Sequence, residues 1–491
     1  MLNNKVLKVL SLLIGFLSAS MLPSILWSLY YSEHNEAYSL FYSSLIAFVF
    51  AIFLFLISRF APKNKNDITS VDAFTIVTIG WFLTGFFGSF PYYLSHNNLS
   101  FIDCFFESMS GFTTTGATIL GSNSIEIESL GYGLLFWRSF TQFLGGMGII
   151  VFSIALLPLL GIGGVQLFKA EVAGPTADKI TPRIKQTAKL LWGIYVGLTF
   201  LVFVLFYIQG MSFFDSICHS FTTISTAGFS THSESIKFFN SPAIEWTMIF
   251  FMFIAGTNFT MHYFLLAKGS FDYFKNEEFK TYFILYLFII ILVFINIAIS
   301  NIGSYNFNFE TLRHAMFTTT SLITTSGFVT ENYEIWPSLS VALCFFLFFL
   351  GASAGSTTGG LKIVRTLLVF KYLYFEIKRL IHPNVVYNIK IGKKIISSDI
   401  VKNTLGFYLF YILIFVLFAL FISFYNIDLV SAISISASSI GNIGPGLGSV
   451  GPYDNWGHLP NIIKVFSTFC MLLGRLEIFT VVVVISRLFW K

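Results

Sequence analysis

The chain has 491 residues, of which 55% are hydrophobic and 11% charged, with a mean hydropathy of +0.77. Soluble domains carry roughly 25% charged residues, so this composition excludes a soluble globular protein, and the apolar runs are long enough to cross a hydrocarbon core of about 30 Å. The net charge of +5 is informative only through its distribution along the chain.

The first apolar run, from Lys5 to Tyr31, is too long for a signal-peptide core and lacks a small-residue cleavage site, which predicts a retained helix. In chain order, the apolar runs predict spans at 6–31, 38–59, 71–94, 131–160, 188–209, 242–267, 280–301, 337–372, 400–425 and 461–490. The shorter apolar stretches at 101–112, 213–224, 310–323 and 428–440 cannot cross and read as re-entrant segments.

Lys and Arg orient the ten spans. With the N-terminus inside, the inner segments hold 24 of the 29 basic residues, leaving Arg138, Lys237, Arg313, Lys464 and Arg475. Both termini are then cytoplasmic. Fourteen of the 24 acids fall on the outer side, among them Asp103, Glu107, Asp215, Glu245, Glu331 and Asp454. Such a surface concentrates cations, although outer loops depleted of basic residues are acidic in any case.

The four cysteines lie far apart in apolar stretches and the eight histidines form no metal-ligand spacing, so neither redox nor metal-cofactor chemistry is indicated. A membrane enzyme would need clustered acids or histidines within the spans, and the sequence offers none. Nothing points to nucleic acid; the evident partner is the lipid bilayer.

A fourfold repeat is present. Its segments read Phe112-Thr113-Thr114-Thr115-Gly116-Ala117, Ile224-Ser225-Thr226-Ala227-Gly228-Phe229, Ile323-Thr324-Thr325-Ser326-Gly327-Phe328 and Ile440-Gly441-Asn442-Ile443-Gly444-Pro445, with glycines 112, 99 and 117 residues apart. Each follows a short apolar run and precedes a full span. Non-helical backbone at membrane depth survives only where it is buried in protein or lines a wet cavity. Four short helices converging on one axis would aim their partly negative C-termini at it, which favours a cation. Glycine allows left-handed backbone, so successive carbonyls can face one lumen and replace the hydration shell of a monovalent ion. The expected architecture is all-α, with four span–pore-helix–loop–span repeats (68–170, 185–270, 278–380 and 398–491) behind two peripheral spans in 1–67.

These residues resemble a known family. Phe106-Glu107-Ser108-Met109-Ser110-Gly111-Phe112-Thr113-Thr114-Thr115-Gly116-Ala117 looks like the first pore loop of the Trk/Ktr potassium-uptake family, and Ile443-Gly444-Pro445-Gly446-Leu447-Gly448 like its fourth. Gly474-Arg475-Leu476-Glu477 resembles a motif of its last helix, and Gly351 to Lys362 the intramembrane loop of its third repeat. The resemblance spans 71 to 490, the first two spans being an addition seen in the Trk branch. It implies potassium as the transported ion, a homodimer with one pore per subunit, and a TrkA/KtrA-like cytoplasmic ring with nucleotide-binding domains. In the family a serine at the first filter glycine goes with sodium permeability, so Gly116 points to potassium. Ala227 stands where a second glycine is frequent and Ser326 where threonine is frequent. The filter candidates are Thr114, Thr115, Gly116, Thr226, Ala227, Gly228, Thr325, Ser326, Gly327, Asn442, Ile443 and Gly444.

Two features suggest gating. Arg475 is read as the one basic residue deep in an apolar run, about 22 Å along a helix from Pro460. An intramembrane Arg faces a cavity or a partner; either it projects into the pore below the filter, or it pairs with Glu477 or a backbone carbonyl. The segment 351–360 holds four glycines (Gly351, Gly355, Gly359, Gly360) and four hydroxyl residues (Ser353, Ser356, Thr357, Thr358). It cannot form a stable helix, and reads as a mobile loop beneath the filter or as a static bend. Asp103 and Asp215, each 13 residues before a filter glycine and near the start of a pore helix, read first as N-terminal capping residues and second as vestibule charges, and Arg313 as the partner of an outer acid. Rival readings are a sodium-permeable or ion-coupled cation symporter of the same fold, and an organic-solute secondary transporter, whose two-fold inverted repeats this chain does not show.

Overall fold

The computed structural model describes residues 3–61, 70–95, 99–121, 125–148, 184–300, 305–383, 388–392 and 394–486. Its elements are helices α1 (Asn4–Ser20), α2 (Leu22–Tyr30), α3 (His34–Phe60), α4 (Ser70–Gly88), α5 (Phe90–Leu94), α6 (Phe101–Phe112), α7 (Tyr132–Gly146), α8 (Ile184–Ile208), α9 (Phe213–Ile224), α10 (Pro242–Ala255), α11 (Phe259–Lys268), α12 (Glu277–Ser300), α13 (Phe309–Ile323), α14 (Ser338–Leu347), α15 (Ile363–Ile381), α16 (Ser398–Ser423), α17 (Leu429–Gly441), α18 (Asn461–Arg475) and α19 (Phe479–Ile485). The all-α expectation holds apart from two-residue strands. β1 (Leu350–Gly351) runs parallel to β2 (Leu361–Lys362), and β3 (Lys390–Ile391) pairs antiparallel with β4 (Lys394–Ile395).

Six helices are long and apolar enough to cross a membrane, and up to eight if each sharply bent pair counts as one span, among the described residues. Three expected spans are therefore corrected. The run 242–267 breaks between α10 and α11 with a bend of 97°, and 461–490 breaks between α18 and α19 with a bend of 118°. The run 337–372 is two helices separated by the strand-paired loop. In the first bend Gly256 ends α10 and Asn258 caps α11 by accepting the Thr260 N–H at 2.8 Å. In the second, Glu477 and Ile478 both adopt left-handed backbone (φ 55° and 46°); a β-branched residue tolerates this only where packing overrides it. The second half of the expected span 131–160 lies outside the described residues.

α1 packs between α3 and α4. Ser18 donates to the Ser44 carbonyl at 2.8 Å and Ser44 to the Ser18 carbonyl at 3.0 Å, a small-residue contact that lets helices approach without a hydrophobic drive between them. The opposite side of α3 shows Phe41, Phe48, Val49 and Phe53 exposed, as a lipid-facing helix does.

The short helices α6, α9, α13 and α17 fall within a residue of the expected re-entrant segments. Their caps are alike: Ser100, Ser212, Asn308 and Asp428 accept the N–H of Asp103, Asp215, Thr311 and Ser431. Asp103 and Asp215 are thus not the caps but the residues three positions on, each taking the cap serine hydroxyl at 2.7 Å, a reciprocal capping arrangement. In three of the four repeats the inner helix packs on the pore helix of the next: α7 on α9, α10 on α13, and α18 back on α6. That last contact closes the ring.

Removing a cap costs about 1 kcal/mol, so Ser212→Ala and Asp428→Ala should each lower the thermal midpoint of the detergent-solubilised chain by about 1 °C; unchanged midpoints would show that the loops, not the caps, fix these helices.

Candidate ion pathway

Each pore helix ends the same way. The N–H of Thr115, Ala227, Ser326 and Ile443 reaches back to the carbonyl five residues earlier, at 2.9, 3.1, 2.7 and 3.1 Å, closing the last turn as in a Schellman motif. The residue before each is left-handed, with φ of 53° at Thr114, 51° at Thr226, 52° at Thr325 and 54° at Asn442. Two positions on, Gly116, Gly228, Gly327 and Gly444 are left-handed again, at 80°, 81°, 78° and 101°. Threonine rarely adopts this conformation, and three of the four repeats force it to.

The glycines meet their neighbours in a cycle. A Cβ on Gly116 would overlap the Ala227 carbonyl oxygen, one on Gly228 that of Ser326, and one on Gly327 that of Ile443. A Cβ on Gly444 would lie 2.7 Å from the Thr115 carbonyl oxygen. Glycine is required at these positions both by backbone sign and by space. The twelve predicted filter residues are thus brought together as four equivalent turns around one centre.

Above the turns, a cavity of about 80 Å³ is floored by the four glycines and walled by Arg138, His232, Tyr453, Asp454 and Trp456 among others, with room for a few water molecules. Over it, Glu128 clasps the second repeat, accepting the Ser233 N–H and hydroxyl at 2.6 Å each. Burial works against the Glu128 charge, but these bonds outweigh it and hold the carboxyl below its ordinary value of 4.5.

The basic residues outside the inner segments all find partners. Arg138 Nε meets Glu107 Oε1 at 2.7 Å, both side chains buried, and its guanidinium lies 3.7 Å from the Phe229 ring centroid. Arg313 pairs with Glu245 at 2.8 Å, as expected of it, and Lys464 with Asp103 at 2.6 Å. Lys237 sits over the Tyr453 ring. Glu107 also takes the Thr118 hydroxyl and the Ile119 N–H, so one buried carboxylate positions the chain leaving the first turn. Sequence reading missed this pair, because nothing in the spacing of 107 and 138 indicates contact.

Below the turns lies the 351–360 loop. The Thr357 hydroxyl is 3.0 Å from that of Thr226, and the Gly359 N–H donates to Thr325 Oγ1 at 2.8 Å. The loop is also tied outward, the Ala354 N–H donating to Glu278 at 2.6 Å and the Gly355 carbonyl accepting from the Phe259 N–H at 3.0 Å, and braced within itself by the Ser356 hydroxyl, which donates to the Ser353 carbonyl. Gly351 lies in β1, where a Cβ would overlap the Gly359 carbonyl. Lys362 Nζ donates back to the Thr358 carbonyl and hydroxyl and is buried, so Arg475 is not the one basic residue at depth. Arg475 donates to the Thr357 carbonyl at 2.9 Å, and to those of Gly145 and Gly146 at 2.5 and 3.1 Å. Glu477 instead pairs with Arg365. The arginine therefore bridges the loop to the end of α7.

Removing one member of a buried ion pair strands the other and costs about 3–5 kcal/mol, so Glu107→Ala should sharply reduce the yield of monodisperse protein, whereas Asp272→Ala, whose partner Lys275 is exposed, should not; equal yields would discount the buried pair.

A family model described as a cation transport protein, TrkH, matches residues 43–489. The chain is 38% identical over 496 residues to the Trk system potassium uptake protein TrkH of Vibrio parahaemolyticus, covering 99% of both chains. It is 34% identical to the Trk system potassium uptake protein TrkG of Escherichia coli K12 over the whole of both chains. The crystal structure of the potassium transporter TrkH from Vibrio parahaemolyticus superposes with a TM-score of 0.87 at 35% identity, covering 99% of each chain. With its four capped pore helices and a match over nearly its whole length, the chain belongs to the TrkH family of cation transport proteins.

Proposed function

We propose that this membrane protein takes up potassium ions through the constriction formed by Thr114–Gly116, Thr226–Gly228, Thr325–Gly327 and Asn442–Gly444, with the 351–360 loop and Arg475 as the gate beneath it. The observation that carries the reading is the cycle in which each filter glycine abuts a carbonyl of the next repeat. Paired left-handed residues two apart present backbone oxygens in succession, and a ring of such oxygens suits a weakly hydrated monovalent cation. Relatives named for potassium uptake support the choice of ion. Among the described residues no cluster of His, Cys, Asp or Glu offers a metal site, so the ligands of the transported ion would be backbone oxygens.

Positive-inside bias supports cytoplasmic termini in a bacterial inner membrane. The repeat boundaries 68–170, 185–270, 278–380 and 398–491, a homodimer, and a cytoplasmic nucleotide-binding ring as regulatory partner complete the reading. The gate rests on contact: Arg475 holds the loop by Thr357 while the loop touches Thr226 and Thr325 from below.

Rubidium-86 uptake into proteoliposomes tests the ion: excess external potassium should abolish it and equal sodium should not, and equal competition would replace potassium selectivity by general cation permeation. For the gate, each charge-assisted bond of Arg475 is worth about 1.5–3 kcal/mol, so Arg475→Ala, or deletion within 353–358, should raise uptake at least about ten-fold; unchanged uptake would make the loop a static bend.

A further inference from the structure

The filter turns are equivalent in backbone but not in what stands behind them. On α7, Gln142 is completely buried and faces the second turn. Its Nε2 donates to the Ala227 carbonyl at 2.7 Å and its Oε1 accepts the Phe229 N–H at 3.0 Å. A carbonyl on one side and an N–H on the other fix which end of the carboxamide is which.

Contacts of the inner helices define the matching positions elsewhere. A Cβ on Gly145 would overlap the carbonyl of Phe112, four residues before Gly116, and one on Gly474 that of Ile440, four before Gly444. Gly146 lies against Ser225, three before Gly228, and Gly256 against Thr324, three before Gly327. Three and four residues back from these glycines, Gln142 corresponds to Met471 in the fourth repeat and to Met252 in the second. Both methionines are fully buried, and a thioether cannot donate a hydrogen bond.

We infer that Gln142 is a specificity-determining positioning residue: its carboxamide holds the Ala227 carbonyl of the second filter turn and so sets the ring's discrimination between potassium and smaller cations. The reading rests on the proposed potassium pathway. Ala227 supplies the oxygen against which Gly116 packs, so its orientation sets the contact between the first and second turns. An N–H donor restrains that oxygen and occupies part of its lone-pair density. Released, it can follow a smaller ion inward, and a filter that tightens around sodium loses preference for potassium. Ala227 is the residue whose turn receives this brace. Arg138, one turn up α7, separately holds the Ser230 carbonyl at 2.6 Å and the Phe229 ring, so the second turn stays docked when the carboxamide is lost.

The test uses the full-length chain in proteoliposomes and rubidium-86 uptake, comparing the sodium and potassium concentrations that halve it. Gln142→Met, the residue of the matching positions, should fold and transport but lose about five-fold in potassium-over-sodium preference, the change expected from one net hydrogen bond. Gln142→Asn, an amide too short to reach both partners, should fall between. A preference equal to wild type in folded Gln142→Met overturns the inference, whatever happens to the uptake rate. If neither variant yields folded protein, the residue holds the fold rather than the ion, and the inference is overturned as well. A wild type showing no potassium preference in the same vesicles would instead remove the potassium pathway itself.

Discussion

The structure depends on a contact with no side chain in it: glycine Cα against the carbonyl oxygen of the neighbouring repeat, four times around a ring. That contact demands left-handed backbone at the glycine and again two residues earlier. It also demands that each pore helix stop at a fixed residue, which the five-residue reach-back bond accomplishes. The serine, asparagine and aspartate caps fix the other ends. Helix length, loop conformation and helix packing are therefore one constraint expressed at three scales. A bilayer enforces it, since no water is present to satisfy backbone freed by an error.

Charge is distributed to serve the same constraint. Buried charges are costly unless paired and hydrogen-bonded, and those near the ring each join segments that the ring needs held. Glu107 ties the first pore helix to the chain leaving its turn and to Arg138, which reaches the second turn. Lys464 ties the last inner helix to the first pore helix through Asp103, reinforcing the seam where chain continuity is lacking. Glu245 and Arg313 join the second and third repeats. The exceptions to the positive-inside bias thus become the fasteners between repeats.

Much of this was legible in the sequence, and the limits are physical. The pore helices emerged within a residue of their bounds because half-length apolar runs end on Thr/Ser-Gly punctuation. The breaks did not. Gly256-Thr257-Asn258 carries a turn and a cap signal, but it is three residues inside a long apolar run, where hydropathy sees only continuity. The bend at 476–478 has no glycine or proline; it is made by tertiary forces, with Arg365 drawing Glu477 away from the helix path. The left-handed threonines contradict their own propensity and follow only from closure of the ring. Arg475 was legible as a costly intramembrane charge, whereas its acceptors, three carbonyls more than 110 residues away in sequence, were not. Gln142 showed only as one amide among phenylalanines.

These contacts align along one helix. α7 meets the outer end of the second turn through Arg138, its middle through Gln142, and receives Arg475 on the carbonyls of Gly145 and Gly146. Residues four apart stack on one helix face, so Gln142 and the seat of Arg475 share a rigid element. An arginine leaving Gly145 and Gly146 also releases Thr357, and with it the loop's hold on Thr226, one residue before the carbonyl that Gln142 restrains. A change beneath the ring therefore reaches the second turn by two routes, loop and helix. Among the described residues, no corresponding bonds from an inner helix's side chains to the turn of the next repeat are seen for Met252 or Met471. Coupling in this molecule needs a two-state element that both sites bias, and the loop pinned between Arg475 and Thr226 is placed to be that element.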